Sequence, residues 1–251
     1  MWQANAVQLA LFCLSVDGID AQELFELGLG EDPETSQRSR TISQTNPFLS
    51  VASGMVADLQ FVVQVQAGRI DVIVSPSQGA EVNLDAGIPT FECPPVLERL
   101  VRFVEAIMPK SLPIVRVALV VNLCKPEETY REAAEVIGSM LGMDVARDEL
   151  SDLSFQVNRR KMLPSGQEMN RLVRLGVLAV QAFTFRNPQE GGPVPLSVNQ
   201  IGVGLMLDFN TVPAAVAFSP AVQVELATHL KDEILLVGGA DNPVRSILDN
   251  G

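Results

Sequence analysis

Apolar residues dominate 6–16 and 114–124, and each run gives way to a stretch with helical spacing of apolar and polar positions. AVQLALFCLSV at 6–16 predicts a strand followed by a helix from Asp20 to Gly28. IVRVALVVNLC at 114–124 predicts a strand followed by a helix from Pro126 to Leu141. Each of these stretches leads to a later helix with similar punctuation. Pro94 and Pro95 open VLERLVRFVEAIM, and Ser219 and Pro220 open AVQVELATHLKDEILL; proline suits a first helical turn because its missing N–H would have no partner there. Leu97, Leu100, Val101, Val104 and Ile107 give the first of these helices an apolar stripe. Val222, Leu226, Leu230, Ile234 and Leu235 do so in the second, which stops at Gly238 and Gly239.

Between the helices the period changes to two. MVADLQFVVQVQ at 55–66 and RIDVIVSP at 69–76 form a hairpin about Gly68, with Leu59, Phe61 and Val63 on one face and Gln60, Val62, Gln64 and Gln66 on the other. A second hairpin joins LSFQVNRRKML to RLVRLGVLAVQAFTF through the turn formers Pro164, Ser165 and Gly166. SVNQIGVGLMLDFN at 197–210 adds a strand whose Gly202 and Gly204 share one face. Bare glycines there allow close packing of another element or the approach of a ligand to the backbone. Residues 29–50 show neither period and are expected to be a loop, with Arg38 and Arg40 as anchors if it orders against another molecule. Residues 77–94 are expected to hold one short strand, with Phe91 tucked beneath the following helix.

The order strand, helix, strands, helix therefore runs twice, in 6–108 and in 114–236. The expected fold is α+β: two mostly antiparallel sheets, each backed by helices, related by approximate internal duplication. The halves are 1–110 and 111–251, as two lobes or one continuous domain. Aligning Ala6 with Ile114 matches only Val7/Val115, Ala10/Ala118 and Leu11/Leu119 over eleven strand positions, so element order carries the inference. Continuous pairing of the two halves would put the helices behind the sheet and leave its opposite face free for a partner.

A hydrophobic content of 47% over 251 residues is ample for a packed core. The apolar start lacks a basic leading region and a cleavage site, and no apolar run is long enough to span a bilayer. Cys13, Cys93 and Cys124 show no metal-ligand spacing, so we expect reduced thiols and a cytoplasmic protein. A net charge of −12 disfavours phosphate backbones and anionic lipid as general partners.

Few residues offer chemistry. His229 is the single histidine and lies within a helix; no nucleophile elbow, phosphate-binding loop or dinucleotide fingerprint follows any strand. Asp17 and Asp208 fall near strand ends, where carboxylates could serve a divalent cation. No cofactor is expected.

The charge distribution is uneven. Between Phe155 and Arg186 the cations Arg159, Arg160, Lys161, Arg171, Arg174 and Arg186 face the single anion Glu168, six against one and a net +5. In the first hairpin arm Phe155, Val157, Arg159 and Lys161 share one face, and Gln156, Asn158 and Arg160 the other. Pairing brings cations of the two arms together, where they repel unless an anion lies between them. The chain's own acids, such as Asp144, Asp148, Glu149 and Asp152, can supply it, as can a partner. The expectation is a non-enzymatic binding or adaptor protein, a subunit of a larger complex, with Arg159, Arg160, Lys161, Arg171 and Arg174 contacting a protein partner. The alternatives are a metal-dependent enzyme using strand-end carboxylates and local nucleic-acid binding by the hairpin.

Overall fold

The computed structural model describes residues 2–39, 47–77, 87–145, 153–182 and 198–249. The strands are β1 (Gln3–Cys13), β2 (Thr35–Arg38), β3 (Phe48–Val56), β4 (Leu59–Gln66), β5 (Arg69–Pro76), β6 (Ile114–Glu127), β7 (Ser154–Met162), β8 (Glu168–Ala182) and β9 (Val198–Thr211). The helices are α1 (Ala21–Leu29), α2 (Cys93–Ala106), α3 (Tyr130–Leu141), α4 (Pro220–Gly238) and α5 (Pro243–Asp249). The fold is α+β, as expected, but the strands pair into one antiparallel nine-stranded sheet in the order β2-β3-β4-β5-β1-β6-β9-β8-β7. Two separate sheets do not form. β1 buries Val7, Leu9 and Leu11 on one face and Ala10 on the other, and β6 buries Val117, Leu119 and Val121 on one face and Ala118 on the other. Strands apolar on both faces belong in the middle of a sheet, and these two pair with each other there.

The helices pack on one face. A register row runs Gly54, Phe61, Val74, Val7, Val121, Leu207, Val173 and Val157 across eight strands, and directly opposed residues point the same way. At one end of this row a Cβ on Gly54 would lie 3.2 Å from the Phe25 ring of α1; further along, a Cβ on Gly238 of α4 would lie 3.4 Å from Leu207. Ala133 and Ile137 of α3, Phe103 of α2 and Ile247 of α5 enter the same continuous core. Each fully buried leucine, valine or phenylalanine in it contributes about 1.5–3 kcal/mol. Among the described residues no helix covers the other face, and no helix is long and apolar enough to cross a membrane.

Local chemistry sets the helix starts. Asp20 accepts N–H bonds from Gln22 and Glu23 and so caps α1, while Gly30 ends it in the left-handed region. Thr129 and Glu132 form a capping box that starts α3 at Tyr130. The helix expected from Pro126 therefore begins later, and Pro126 belongs to the end of β6.

Part of the expected loop 29–50 is strand. Thr35–Arg38 is β2, and Phe48 begins β3, which turns back at Ala57 and Asp58, both at positive φ. The segment 55–66 is thus split by a turn and is not one strand. Arg40 and residues 41–46 lie outside the described residues. Phe91 exchanges backbone bonds with Ala4, N–H to O 2.8 Å and O from N–H 3.2 Å, in a single bridge at the edge of β1.

Candidate functional site

The basic hairpin forms where expected, with its turn over Pro164 to Gly166, and its cations divide between the two faces of the sheet. Arg159 and Arg171 are register partners on the helix side. Arg159 donates to the carbonyl of Ile247 at 3.2 Å and to that of Leu248, at the end of α5. Arg171 is 1% exposed and meets the Glu233 carboxylate of α4 at 3.5 Å; Lys161 binds the same carboxylate. Burial lowers the basicity of Arg171 and Glu233 opposes that shift. Glu233 is therefore an anion of the kind that two like-charged arms require; Asp148, Glu149 and Asp152 lie outside the described residues.

Arg160 and Arg174 lie on the helix-free face. Arg160 pairs with Glu168 at 3.2 Å. Arg174 has no hydrogen-bond or ion-pair partner among the described residues, in a chain with thirty acidic and eighteen basic side chains.

Around Arg174 the helix-free face is recessed. The row Ala6, Asn122, Met206, Arg174 and Gln156 crosses β1, β6, β9, β8 and β7. Next to it Gly204 and Gly176 are register partners and offer only backbone. A trough of about 690 Å³ lies over these glycines, lined by Asn5, Asn122, Tyr130, Ser154, Arg174 and Met206. Asn5 is the extra residue of a bulge in β1, and its Oδ1 is buried without a donor. Asn122 likewise has no side-chain partner among the described residues. The trough thus presents the Arg174 guanidinium and the Asn122 amide beside the bare backbone of Gly204, with the orphan Asn5 Oδ1 buried in its wall.

The two glycines singled out on β9 have different roles. A Cβ on Gly202 would lie 2.7 Å from the Lys125 carbonyl oxygen, so this glycine serves close strand packing. A Cβ on Gly204 would lie 3.5 Å from the nearest atom, the Leu178 Cβ, which is ordinary contact. Gly204 leaves room for a Cβ at ordinary contact and lines the trough with backbone, an arrangement that suits a ligand better than the closed packing at Gly202.

A second polar cluster occupies the centre of the same face. Asp71, 1% exposed, accepts from Gln8 Nε2 at 2.8 Å, from Gln66 Nε2 at 3.1 Å and from Arg69 Nε and Nη2 at 2.9 and 2.7 Å. Arg69 and Arg116 place their guanidiniums 5.0 and 4.7 Å from the Phe12 ring centroid. Asn170 donates to Asn210 at 3.1 Å, and Asn210 donates to Asp208 at 2.9 Å. These donors already satisfy Asp71, which makes it a structural carboxylate.

Asp17 and Asp208 are not brought together. Asp17 is in the turn after β1 and accepts from Ser15 at 2.7 Å, whereas Asp208 is within β9. Among the described residues no three of histidine, cysteine, aspartate and glutamate converge on a point that could hold a cation. His229 faces Glu225 one turn away in α4 at 3.5 Å. Burial pushes the Cys13 and Cys93 thiols up to about 12 and raises Cys124 as well.

Arg174 and Gly204 were legible as individual residues. Asn5, Asn122 and Gly176 were not, because a bulge and a register across four strands leave no local pattern. No protein-family model and no curated protein matches this chain.

Proposed function

We propose that this is a non-enzymatic binding protein that contacts a protein partner through the helix-free face of its sheet. The observation that carries the reading is Arg174, a guanidinium with no carboxylate partner among the described residues, on the rim of an open trough. Charge supports it: the described side chains on this face include Arg69, Arg116, Arg160 and Arg174 against Asp71, Asp208 and Glu168, four cations to three anions, in a chain of net charge −12. The basic hairpin contributes Arg160 and Arg174 to this surface, while Arg159, Lys161 and Arg171 hold the hairpin on the helices.

We also infer that the two halves descend from one unit. From the centre outward the strands follow as first, fourth, third and second of each half once the short β2 is set aside. Ala10 and Ala118, equivalent when the halves are aligned, are register partners, as a twofold axis between the halves requires.

The test is recovery of a partner from the protein's own cells with tagged wild type, Arg160→Ser/Arg174→Ser and, as a control on α2, Arg102→Ser. The partner is expected with wild type and the control and absent with the double variant. Equal recovery with all three rules out this face as the contact.

A further inference from the structure

We propose that the trough over Gly176 and Gly204 receives an extended peptide segment of the partner, with one aspartate or glutamate side chain seated on Arg174. This rests on the binding role given above and adds the chemistry of what is bound. The unsatisfied groups of the trough define their complements. Arg174 calls for an anion that can accept from a planar fork, which a carboxylate does. Asn122 both donates and accepts, as a peptide group does in return. Met206 offers an apolar wall to aliphatic carbons.

The floor is shaped for a chain. Gly204 removes a side chain from the face, while Gly176 beside it packs against the Leu153 carbonyl, 3.2 Å from where its Cβ would lie, so a bound backbone can approach the sheet closely over Gly204. The lining residues come from five neighbouring strands, β1, β6, β9, β8 and β7. Four strand spacings make about 19 Å, the reach of roughly six extended residues. A polyphosphate chain fits less well. Nucleic acid bears a charge at every step, while this face intersperses Asp208 and Glu168 with its arginines and belongs to an acidic chain. Phe12, near the centre of the face, already has Arg69 and Arg116 stacked on it, and Tyr130 is a single ring in the trough lining, short of the succession of aromatics on which bases stack.

The experiment is selection of a displayed random heptapeptide library on the full chain, followed by fluorescence anisotropy with the synthesised winners. Wild type is compared with Arg174→Gln, Asn122→Leu and Gly204→Val, each first checked for native circular dichroism and thermal transition. Arg174 is exposed, so its variant provides a test even if a trough-filling variant does not fold. We expect enrichment of peptides with an acidic residue at one fixed position, and a loss of roughly tenfold or more in affinity for Arg174→Gln. Replacing the peptide's acid by its amide should weaken binding to wild type by a similar factor and leave binding to Arg174→Gln nearly unchanged. Winners without an acid, no winners, or affinities indifferent to all three variants overturn the proposal. Labelled oligothymidine bound through Arg174 in place of any peptide also overturns it and assigns the trough to single-stranded nucleic acid. If the trough fails in any of these ways while the cellular partner is still lost with Arg160→Ser/Arg174→Ser, the binding role stands and only the acidic-peptide assignment falls.

Discussion

Arg171 on β8 and Glu233 on α4 meet at 3.5 Å between the sheet and its helices, and the Lys161 ammonium closes on the same carboxylate. Three charges share one contact that ties the basic hairpin to the longest helix. Removing the acid takes a carboxylate from a guanidinium that is 1% exposed and from the Lys161 ammonium beside it, so Glu233→Ala should destabilise the fold by about 3 kcal/mol. Arg171→Met, which removes the buried charge and keeps its volume, should cost less than Glu233→Ala. Arg160→Ala, on an exposed pair, should change stability by no more than about 0.5 kcal/mol. Urea titrations of the three variants give the ordering directly, and equal losses from Glu233→Ala and Arg160→Ala would refute the structural role of Glu233.

Asp20 links acid stability to the start of α1. Burial raises its carboxyl group, but the Arg38 guanidinium at 2.6 Å and the N–H groups of Gln22 and Glu23 outweigh that and hold it below its ordinary 3.8. A lowered folded value means that its contribution is complete above pH 3.8 and is lost as pH falls through the folded value. Asp20→Ala should cost about 1 kcal/mol at neutral pH through loss of the cap. The gap between wild type and variant should close below pH 3.8. Thermal melts from pH 7 to pH 2.5 test this, and a gap independent of pH would mean that the charge of Asp20 contributes nothing.

How much of this could be read from residues alone depends on the range of the interactions. The helices at Pro94 and Pro220 and both hairpin faces were legible because prolines in the first helical turn, apolar stripes and period-two alternation act within a few residues. β3 was not. Its core side carries Ser50, Ala52 and Gly54 beneath α1, small residues that hide the alternation, and its turn uses Ala57 and Asp58 at positive φ without a glycine to mark it. The joining of both halves into one sheet has no local signature, because β1 and β6 choose each other by long-range pairing. For the hairpin, the need for an anion was plain from like charges on facing arms. That Glu233 supplies it, from a helix more than sixty residues away, was not. The trough follows the same logic: Arg174 was visible, and its neighbours depend on register.

Glycines that resemble one another in sequence should separate by tolerance. A Cβ at Gly28 would come within 2.1 Å of the Phe103 ring, a fully buried side chain, and a Cβ at Gly202 within 2.7 Å of a backbone oxygen. Neither neighbour can withdraw without disturbing packing, so Gly28→Ala and Gly202→Ala should each cost about 1–3 kcal/mol. Gly204→Ala meets only ordinary contact at 3.5 Å and should be near neutral or slightly stabilising, since alanine restricts the unfolded chain. Chemical denaturation of the three variants decides the matter. A large loss from Gly204→Ala would mean that this strip of sheet is closed in solution.

The three thiols should report on the integrity of the core. Burial lifts Cys13 and Cys93 to about 12 and raises Cys124 as well, away from their ordinary 9.0. Thiolate is the reactive form, so at pH 8 the folded protein should label far more slowly with a disulfide reagent than the unfolded chain, in which all three react together. The same shifts set an alkaline limit. Because the folded values lie above the unfolded ones, the stabilising contribution is complete below pH 9 and is lost as pH rises toward 12. Cys13→Val removes one ionisable group from the core and should flatten the alkaline decline without altering stability at pH 7 by more than about 1.5 kcal/mol. Labelling kinetics at pH 8, together with urea midpoints between pH 7 and 10.5, follow both effects in one set of samples. Rapid labelling of the native protein at pH 8 would show that its thiols are open to solvent and that the packing of β1 and the first turn of α2 is looser than the structure has it.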